Sequence, residues 1–456
     1  MLSSTLHPND ASLPLHGTAA RRELTYAQTI LCATVIGITG GFVATAYYYG
    51  LEGCLHFVWH TLPEWITPSL PFGLAPANYV WIVTTIGGFC VGLVLHFMGL
   101  PGEVSMVVDK VHDPGQIEVR QTPAMIVASL FSITAGGSAG PEAPLVQIIA
   151  SFGGWLGDKL NLTLVNLRVL TFCGMSAALG AFFGAPLGGA LFALELPHRR
   201  GLEYYEALIP AVLSAILSFV VFRVNTGLTI GGMYHFSDVP PLTLTNLLQG
   251  GVFGIVGAAT ALLFVLIFRT VGYLARWMEH QTIVLATLGG LSIGLIAMVF
   301  PQTLFFGEKE IQTVFDTGAT LGVSMLLMIG VAKMLAVSCT LHSGFRGGFI
   351  FPLFYIGAAI GLAIAMGFPQ VHPTIAMVCM MAAVNVAITK TPISTTVILS
   401  VLSDSAIVPV IVIASFVSFL LTTELSLIKT QRSRTVALIS RQHSIPQTNS
   451  SNIAIS

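Results

Sequence analysis

Read for the alternation of apolar and charged positions, the chain is a series of long uncharged stretches set between short charged ones. No formal charge falls between Glu23 and Glu52, Glu64 and Glu103, Arg168 and Glu195, or Glu206 and Arg223. The same holds between Asp238 and Arg269, Glu279 and Glu308, Asp316 and Lys333, Arg346 and Lys390, and Asp404 and Glu424. A bilayer-spanning helix needs about 20 apolar residues, and several of these stretches fit one. The stretch from Gly347 to Thr389 is too long for one pass, and Pro352, Pro369 and Pro373 interrupt it. It predicts re-entrant or broken helices, whose irregular backbone survives at membrane depth only when protein buries it or it lines a cavity. The pattern as a whole predicts an all-α polytopic membrane protein.

Composition agrees with lipid as the medium. Of 456 residues 54% are hydrophobic and 9% charged, and the mean hydropathy is +0.84. A soluble domain carries about 25% charged residues. With 19 basic and 20 acidic residues the net charge is −1, so there is no basic footprint for nucleic acid. The six cysteines (Cys32, Cys54, Cys90, Cys173, Cys339, Cys379) stand far apart with no CxxC pair. That spacing speaks against a disulfide framework or a metal site, and no cofactor is expected; the cysteines are read as small core residues. Residues 1–26 hold Arg21-Arg22 and no apolar run, so they are expected to be a soluble tail and not a cleaved signal peptide. Residues 429–456 hold Lys429, Arg432, Arg434 and Arg441, a tail too short for a folded domain. Basic residues at both ends place both tails in the cytoplasm and call for an even number of crossings.

Glycine is frequent, 46 residues, and pairs inside apolar runs at Gly40-Gly41, Gly87-Gly88, Gly153-Gly154, Gly188-Gly189 and Gly289-Gly290. Close helix packing through small residues accounts for such pairs. A longer-range echo says more. Gly140-Pro-Glu-Ala-Pro144 opens an apolar helix, and so does Gly348-Phe-Ile-Phe-Pro352, 208 residues on (348 − 140). Ala185-Pro186-Leu187 and Thr391-Pro392-Ile393 repeat at 206 (392 − 186). Coincidence among 23 prolines could supply either pair, but a nearly shared offset favours two inverted halves, 27–228 and 245–428, with a site at the midplane.

Glu142 carries the sharpest chemical signal. It is the only formal charge between Arg120 and Asp158, in a Gly-rich apolar run. A carboxylate in that setting is costly unless it has a use or a partner. Gly136-Gly-Ser-Ala-Gly-Pro-Glu-Ala-Pro144 reads as a loop entering a helix, and free amides at a helix start bind anions, a glutamate's own carboxylate among them. Either Glu142 serves a site or it merely complements the helix dipole at an interface. The second segment, Ser343-Gly-Phe-Arg-Gly-Gly-Phe-Ile-Phe-Pro352, enters a helix without an acid, and its amides would form a nest for an anion. Arg346 would either concentrate anions at a pore mouth or snorkel to headgroups.

These segments resemble the CLC chloride channel/transporter family. Gly140-Pro-Glu-Ala-Pro144 is similar to the family's G-x-E-G-P segment with its gating glutamate, with Ala143 for the second glycine. Gly348-Phe-Ile-Phe-Pro352 resembles G-x-F-x-P, with Ile350 at the phenylalanine position. Phe97-Met-Gly-Leu-Pro101 falls where the family has G-S-G-I-P, and Phe183-Gly-Ala-Pro-Leu-Gly-Gly-Ala-Leu-Phe-Ala-Leu-Glu195 resembles a helix whose end faces the cytoplasm. Four segments in order cover roughly residues 30 to 428, and Gly-Phe-Arg-Gly-Gly resembles a bacterial branch of ion-transport members. The resemblance implies a multi-pass homodimer of the inner (plasma) membrane, with one path per subunit for chloride or a similar anion. It implies Glu142 as a tethered competitor that protonation releases, and anion contacts from Gly140, Pro141, Ala143, Gly348, Phe349, Ile350, Phe351, Met98 and Gly99.

Three departures bear on coupling. Met98 replaces the family's central serine, no tyrosine follows Tyr355, and the exchangers' inner proton-relay glutamate aligns with Leu196. Glu195 or Glu203 would then be the inner proton path, unless Glu203 and Glu206 are solvated helix ends. Chloride/proton exchange, a passive proton-gated channel and a carrier of another anion such as fluoride all stay open. An enzyme is disfavoured, since neither HExxH nor G-x-S-x-G is present and His342-Ser343 is the nearest approach to a catalytic pair.

Overall fold

The computed structural model describes residues 21–66, 76–99, 108–111, 117–199, 205–228, 233–236, 241–403, 407–425, 427–428 and 430–431. Among them the secondary structure is helical, with isolated bridges and no strand. Eight described helices are long and apolar enough to cross a bilayer. The first, α1 (Tyr26–His56), opens on a capping box: Thr25 accepts from the Gln28 amide at 3.4 Å and the Gln28 side chain accepts from the Thr25 amide at 3.1 Å. A π turn at Phe57–Thr61 carries it on to Ile66. Then follow α2 (Pro76–Met98), α3 (Thr122–Thr134), α4 (Glu142–Lys159), α5 (Leu164–Phe183), α6 (Pro186–Glu195) and α7 (Leu208–Thr226). The second series is α8 (Leu244–Ala275), α9 (Thr282–Val299), α10 (Glu308–Leu321), α11 (Val323–His342), α12 (Ile350–Gly367), α13 (Pro373–Thr389), α14 (Pro392–Leu402) and α15 (Val408–Leu421).

The echo in the sequence becomes a repeat of geometry. In α4 to α7 the helix lengths run 18, 20, 10 and 19 residues, and in α12 to α15 they run 18, 17, 11 and 14. Between α5 and α6 the chain turns at Gly184 (φ +65°) and restarts on Pro186; between α13 and α14 it turns at Lys390 (φ +63°) and restarts on Pro392. A left-handed residue ends a helix by turning the chain so that its amide still bonds one of the last carbonyls, and a proline starts the next because its missing N–H would be unpaired there anyway. The uncharged stretch that is too long for one pass is α12 and α13, broken at 368–372.

The glycine pairs behave as packing elements. A Cβ on Gly88 would lie 2.3 Å from the Ala286 carbonyl oxygen and one on Gly290 2.1 Å from that of Thr84, so α2 and α9 meet backbone to backbone. Two cysteines, Cys173 and Cys379, are core residues as expected, whereas Cys54 is exposed on α1. The bundle has two distinguishable ends. Arg22 and the α4–α5 turn exchange bonds (Arg22 N–H to the Asn161 carbonyl, 2.7 Å; Thr163 N–H to that of Arg22, 3.0 Å), which marks one end. Further along α1, the Tyr49 hydroxyl donates to the Asn225 carbonyl (2.9 Å) and Glu52 pairs with Lys309 (3.3 Å), which marks the other.

One expectation is corrected. Charges do not always mark the ends of helices in lipid. Lys333 lies in the middle of α11 and is 0% exposed, whereas Arg223 lies in the last turn of α7, where a charge is expected. Lys333 is tolerated because Nζ donates to the carbonyls of Thr303 (3.1 Å), Leu304 (3.2 Å) and Phe305 (2.8 Å) and lies over the Tyr355 ring at 5.1 Å. It fixes a turn in which Phe305 adopts φ +55° and donates its N–H to the Gly136 carbonyl (3.3 Å), in the loop that leads to Glu142. Lys333→Met leaves buried carbonyls unbonded, and the expected cost is about 2–4 kcal/mol. A shortened thermal half-life of the purified protein in detergent would show it; an unchanged half-life would mean that the turn holds without the lysine.

Candidate anion site

Two helix starts point at each other at the centre of the molecule. Gly140 and Gly348, the mates of the sequence echo, are bonded reciprocally: the Gly140 N–H donates to the Gly348 carbonyl (2.8 Å), and the Gly348 N–H to that of Gly140 (2.7 Å). α4 begins just beyond the first and α12 just beyond the second. Each helix has a proline at its third residue, Pro144 and Pro352, which has no N–H to offer. The first in-helix bonds come from Leu145 to the Pro141 carbonyl and from Leu353 to the Phe349 carbonyl. The amides of Glu142, Ala143, Ile350 and Phe351 are therefore free of the helical ladder and converge with both positive dipole ends on one space.

Glu142 fills that space. It is the first residue of α4 and is 2% exposed, and its Oε1 accepts from the Ile350 N–H at 2.9 Å. Its Oε2 is buried with no hydrogen-bond partner. Two glycines make the seat. A Cβ on Gly140 would lie 2.0 Å from Oε2, and one on Gly348 would lie 2.3 Å from both Cδ and Oε1. The carboxylate bridges the halves, since it belongs to the start of one repeat helix and binds the start of the other.

Beside it lies a cavity of about 40 Å³, lined by Glu142, Ala143, Val146, Met175, Leu179, Phe192, Leu196, Gly348, Phe349, Ile350 and Thr389. That is room for two or three waters or a small dehydrated anion. Its polar elements are the carboxylate, Thr389 and backbone; the remaining walls are apolar side chains. Such a place favours an anion held by amides and excludes a cation, for which few acceptors remain once Glu142 is neutral.

The Gln431 side chain donates to the carbonyls of Leu196 (2.8 Å) and Thr389 (2.7 Å), so the segment after α15 is tied to two lining residues. Thr389, Thr391 and Thr395 form a hydroxyl chain at 2.7 and 3.0 Å, and Asn385 donates to Thr395 (2.8 Å). Glu195 repeats the device of Glu142 at α14. Its Oε1 accepts from the Ile393 N–H (3.2 Å), and its Oε2 accepts from the Ser394 N–H (2.9 Å) and hydroxyl (2.6 Å).

Of the residues named from sequence, Glu142, Ala143, Gly348, Phe349 and Ile350 line the cavity, and Gly140, Pro141 and Phe351 frame it. Glu195, the last residue of α6, is buried against the start of α14 and does not line the cavity. Met98 ends α2 with its side chain 49% exposed, and neither it nor Gly99 lines the cavity; Leu100 and Pro101 lie outside the described residues, as does Glu203. Glu206 is exposed and Arg346 is buried. Met175, Leu179 and Thr389 carried no sequence signal. Phe192 sits in the segment that ends at Glu195 without anything to mark it as lining, whereas Leu196 was singled out only as the position of the family's relay glutamate.

A family model described as "Voltage gated chloride channel" matches residues 87–423. Among curated proteins, the "Chloride/fluoride channel protein" of Pseudomonas syringae pv. tomato is 28% identical over 421 residues, 89% of this chain and 86% of that one. The "Putative ion-transport protein YfeO" of Escherichia coli O139:H28 is 26% identical over 371 residues, 79% of this chain and 84% of that one. The fold is shared with a crystal structure of a CLC-type fluoride/proton antiporter (TM-score 0.77, 23% identity, 90% of this chain and 100% of that one). It is shared equally with a slow cyanobacterial Cl−/H+ antiporter (TM-score 0.76, 20% identity, 92% and 99%).

Proposed function

The chain belongs to the voltage-gated chloride channel family, and on that premise we propose that it carries chloride along a path that Glu142 closes by occupying it. The observation that carries this reading is the bond from the Ile350 amide to the Glu142 carboxylate, which takes the place an anion would take between two helix starts. Protonation removes the charge that competes for those amides, so anion movement rises as pH falls. The inverted halves span 27–228 and 245–428, and the basic tails 1–26 and 429–456 face the cytoplasm across the plasma membrane. Apolar side chains exposed on α6, α7, α14 and α15 (Leu187, Ile216, Ile393, Phe416) support a homodimer through that face.

Fluoride is the second reading, favoured by the named activities of the Pseudomonas protein and of the antiporter structure. For protons on the inner side, Glu195 is tied by three bonds, and a protonated form would have to give up at least one of them. Leu196 lines the cavity where a relay group would have been useful. This arrangement favours proton-sensitive gating over tight exchange. Purified protein in liposomes decides among these readings. Chloride efflux that rises with acidification supports the gate, and preferential fluoride efflux supports the second reading. A chloride gradient that drives protons uphill establishes exchange, and the absence of flux of either anion removes the transport reading for this chain.

A further inference from the structure

Each half of the protein turns sharply between a long and a short helix, and each turn has a cation against it. At the α13–α14 turn the cation is Lys390 itself, whose Nζ donates to the Ala387 carbonyl (2.6 Å) and to both the carbonyl and the hydroxyl of Thr422. Its donors are used. At the matching α5–α6 turn the residue is Gly184, and the cation is supplied by Arg223 from α7: a Cβ on Gly184 would lie 2.3 Å from Nη2, so the guanidinium rests where a larger residue would push it aside. Arg223 is 9% exposed, its Nε is buried without a partner, and among the described residues its side chain makes no hydrogen bond and no ion pair. The Phe219 ring lies 5.5 Å away and supplies a π face, which orients a guanidinium without occupying its donors.

A buried guanidinium nitrogen without a partner is expensive in any protein and more so in a membrane. Lys390 at the matching turn shows how the fold satisfies such a charge when structure is the only purpose. The surroundings of Arg223 suit a diffusible anion. It lies at the end of the bundle marked by Glu52 and Lys309, which pair with each other. The Glu308 carboxylate at the start of α10 and Tyr48 on α1 act on it electrostatically without bonding it. Phe183, the residue before Gly184, packs on Phe351 (5.9 Å), as do Phe182 (5.3 Å) and Phe306 (6.2 Å). A layer of phenylalanine rings thus joins the turn beside Arg223 to the start of α12, whose Ile350 amide holds Glu142.

We propose that Arg223, seated on Gly184, is the ligand of a second monovalent-anion site, on the Glu52 side of the Glu142 gate. The guanidinium holds a halide there on its way to the gate or away from it, and Glu308 competes with that halide for the same charge. The proposal rests on the anion-transport reading and adds a station to its path.

Bromide is the probe. Crystals of the wild-type protein grown in sodium bromide should show an anomalous peak within roughly 3.5 Å of the Arg223 guanidinium nitrogens. In liposomes Arg223→Gln should raise the half-saturating chloride concentration about tenfold, the loss of one charge-assisted contact, and Arg223→Lys should recover part of it. Glu308→Gln should lower that concentration, and it keeps the test open should Arg223→Gln fail to fold. Wild-type crystals without bromide at Arg223 would overturn the site, provided Glu142→Gln crystals in the same salt bind it at the Ile350 amide. Bromide at Arg223 with unchanged concentration dependence in all three variants would mean an adventitious ion only, and would also overturn it. Wild-type protein that conducts no anion fails the transport reading itself, a result separate from either.

Discussion

Glu142→Gln will conduct chloride at alkaline pH as fast as the wild type does at acid pH, and its flux will no longer change with pH. Glutamine keeps an oxygen for the Ile350 amide and nearly the same volume, so the seat between Gly140 and Gly348 survives. What it loses is the charge. An ionised carboxylate competes with chloride for the amides of Ile350 and Phe351 and for two dipole ends; a neutral amide competes weakly. A charge-assisted hydrogen bond is worth about 1.5–3 kcal/mol, so removing it should raise alkaline flux by roughly one to two orders of magnitude. The sign follows from the proton: the ionised form blocks, the protonated form releases, and the wild type therefore quickens as pH falls. Chloride efflux from liposomes across a pH series measures this directly. A mutant that keeps the wild-type pH profile would show that another group is the gate.

Much of this site was legible because lipid makes charge rare. Glu142 stood out as one carboxylate in an apolar run, and the spacing of Gly140-Pro141 and Gly348-Phe349 announced two related helix starts. The sequence could not say that the related segments face each other, since an offset of 208 residues fits many arrangements; the reciprocal bond between Gly140 and Gly348 is a tertiary fact. The rule that charges end helices failed at Lys333 for a physical reason. A charge may lie mid-helix when distant backbone carbonyls meet it, and those partners are far away in sequence. The apolar walls were invisible for the opposite reason. Met175, Leu179 and Phe192 are ordinary residues of ordinary helices until folding sets them around a cavity.

The two glycines of the seat should separate gating from binding. The three atoms nearest to a Cβ on Gly140 all belong to the Glu142 carboxylate: Oε2 at 2.0 Å, Cδ at 2.9 Å and Oε1 at 3.2 Å. That group is the free end of a flexible side chain, so Gly140→Ala should fold, keep its backbone bond to Gly348, and expel the carboxylate from its seat. Alkaline chloride flux should then rise about tenfold with Glu142 still present, as expected when a blocking contact of about 1.4 kcal/mol is lost. Gly348→Val differs because Gly348 also lines the cavity. Its branched side chain displaces the carboxylate and then fills the space the anion needs, so chloride affinity by calorimetry should fall at least about tenfold, or 1.4 kcal/mol. One substitution opens the path and the other closes it, although both remove the same hydrogen atom from the same bonded pair. If Gly140→Ala retains wild-type gating, Glu142 is not held shut by this seat. If Gly348→Val binds chloride as the wild type does, the anion rests elsewhere along the path.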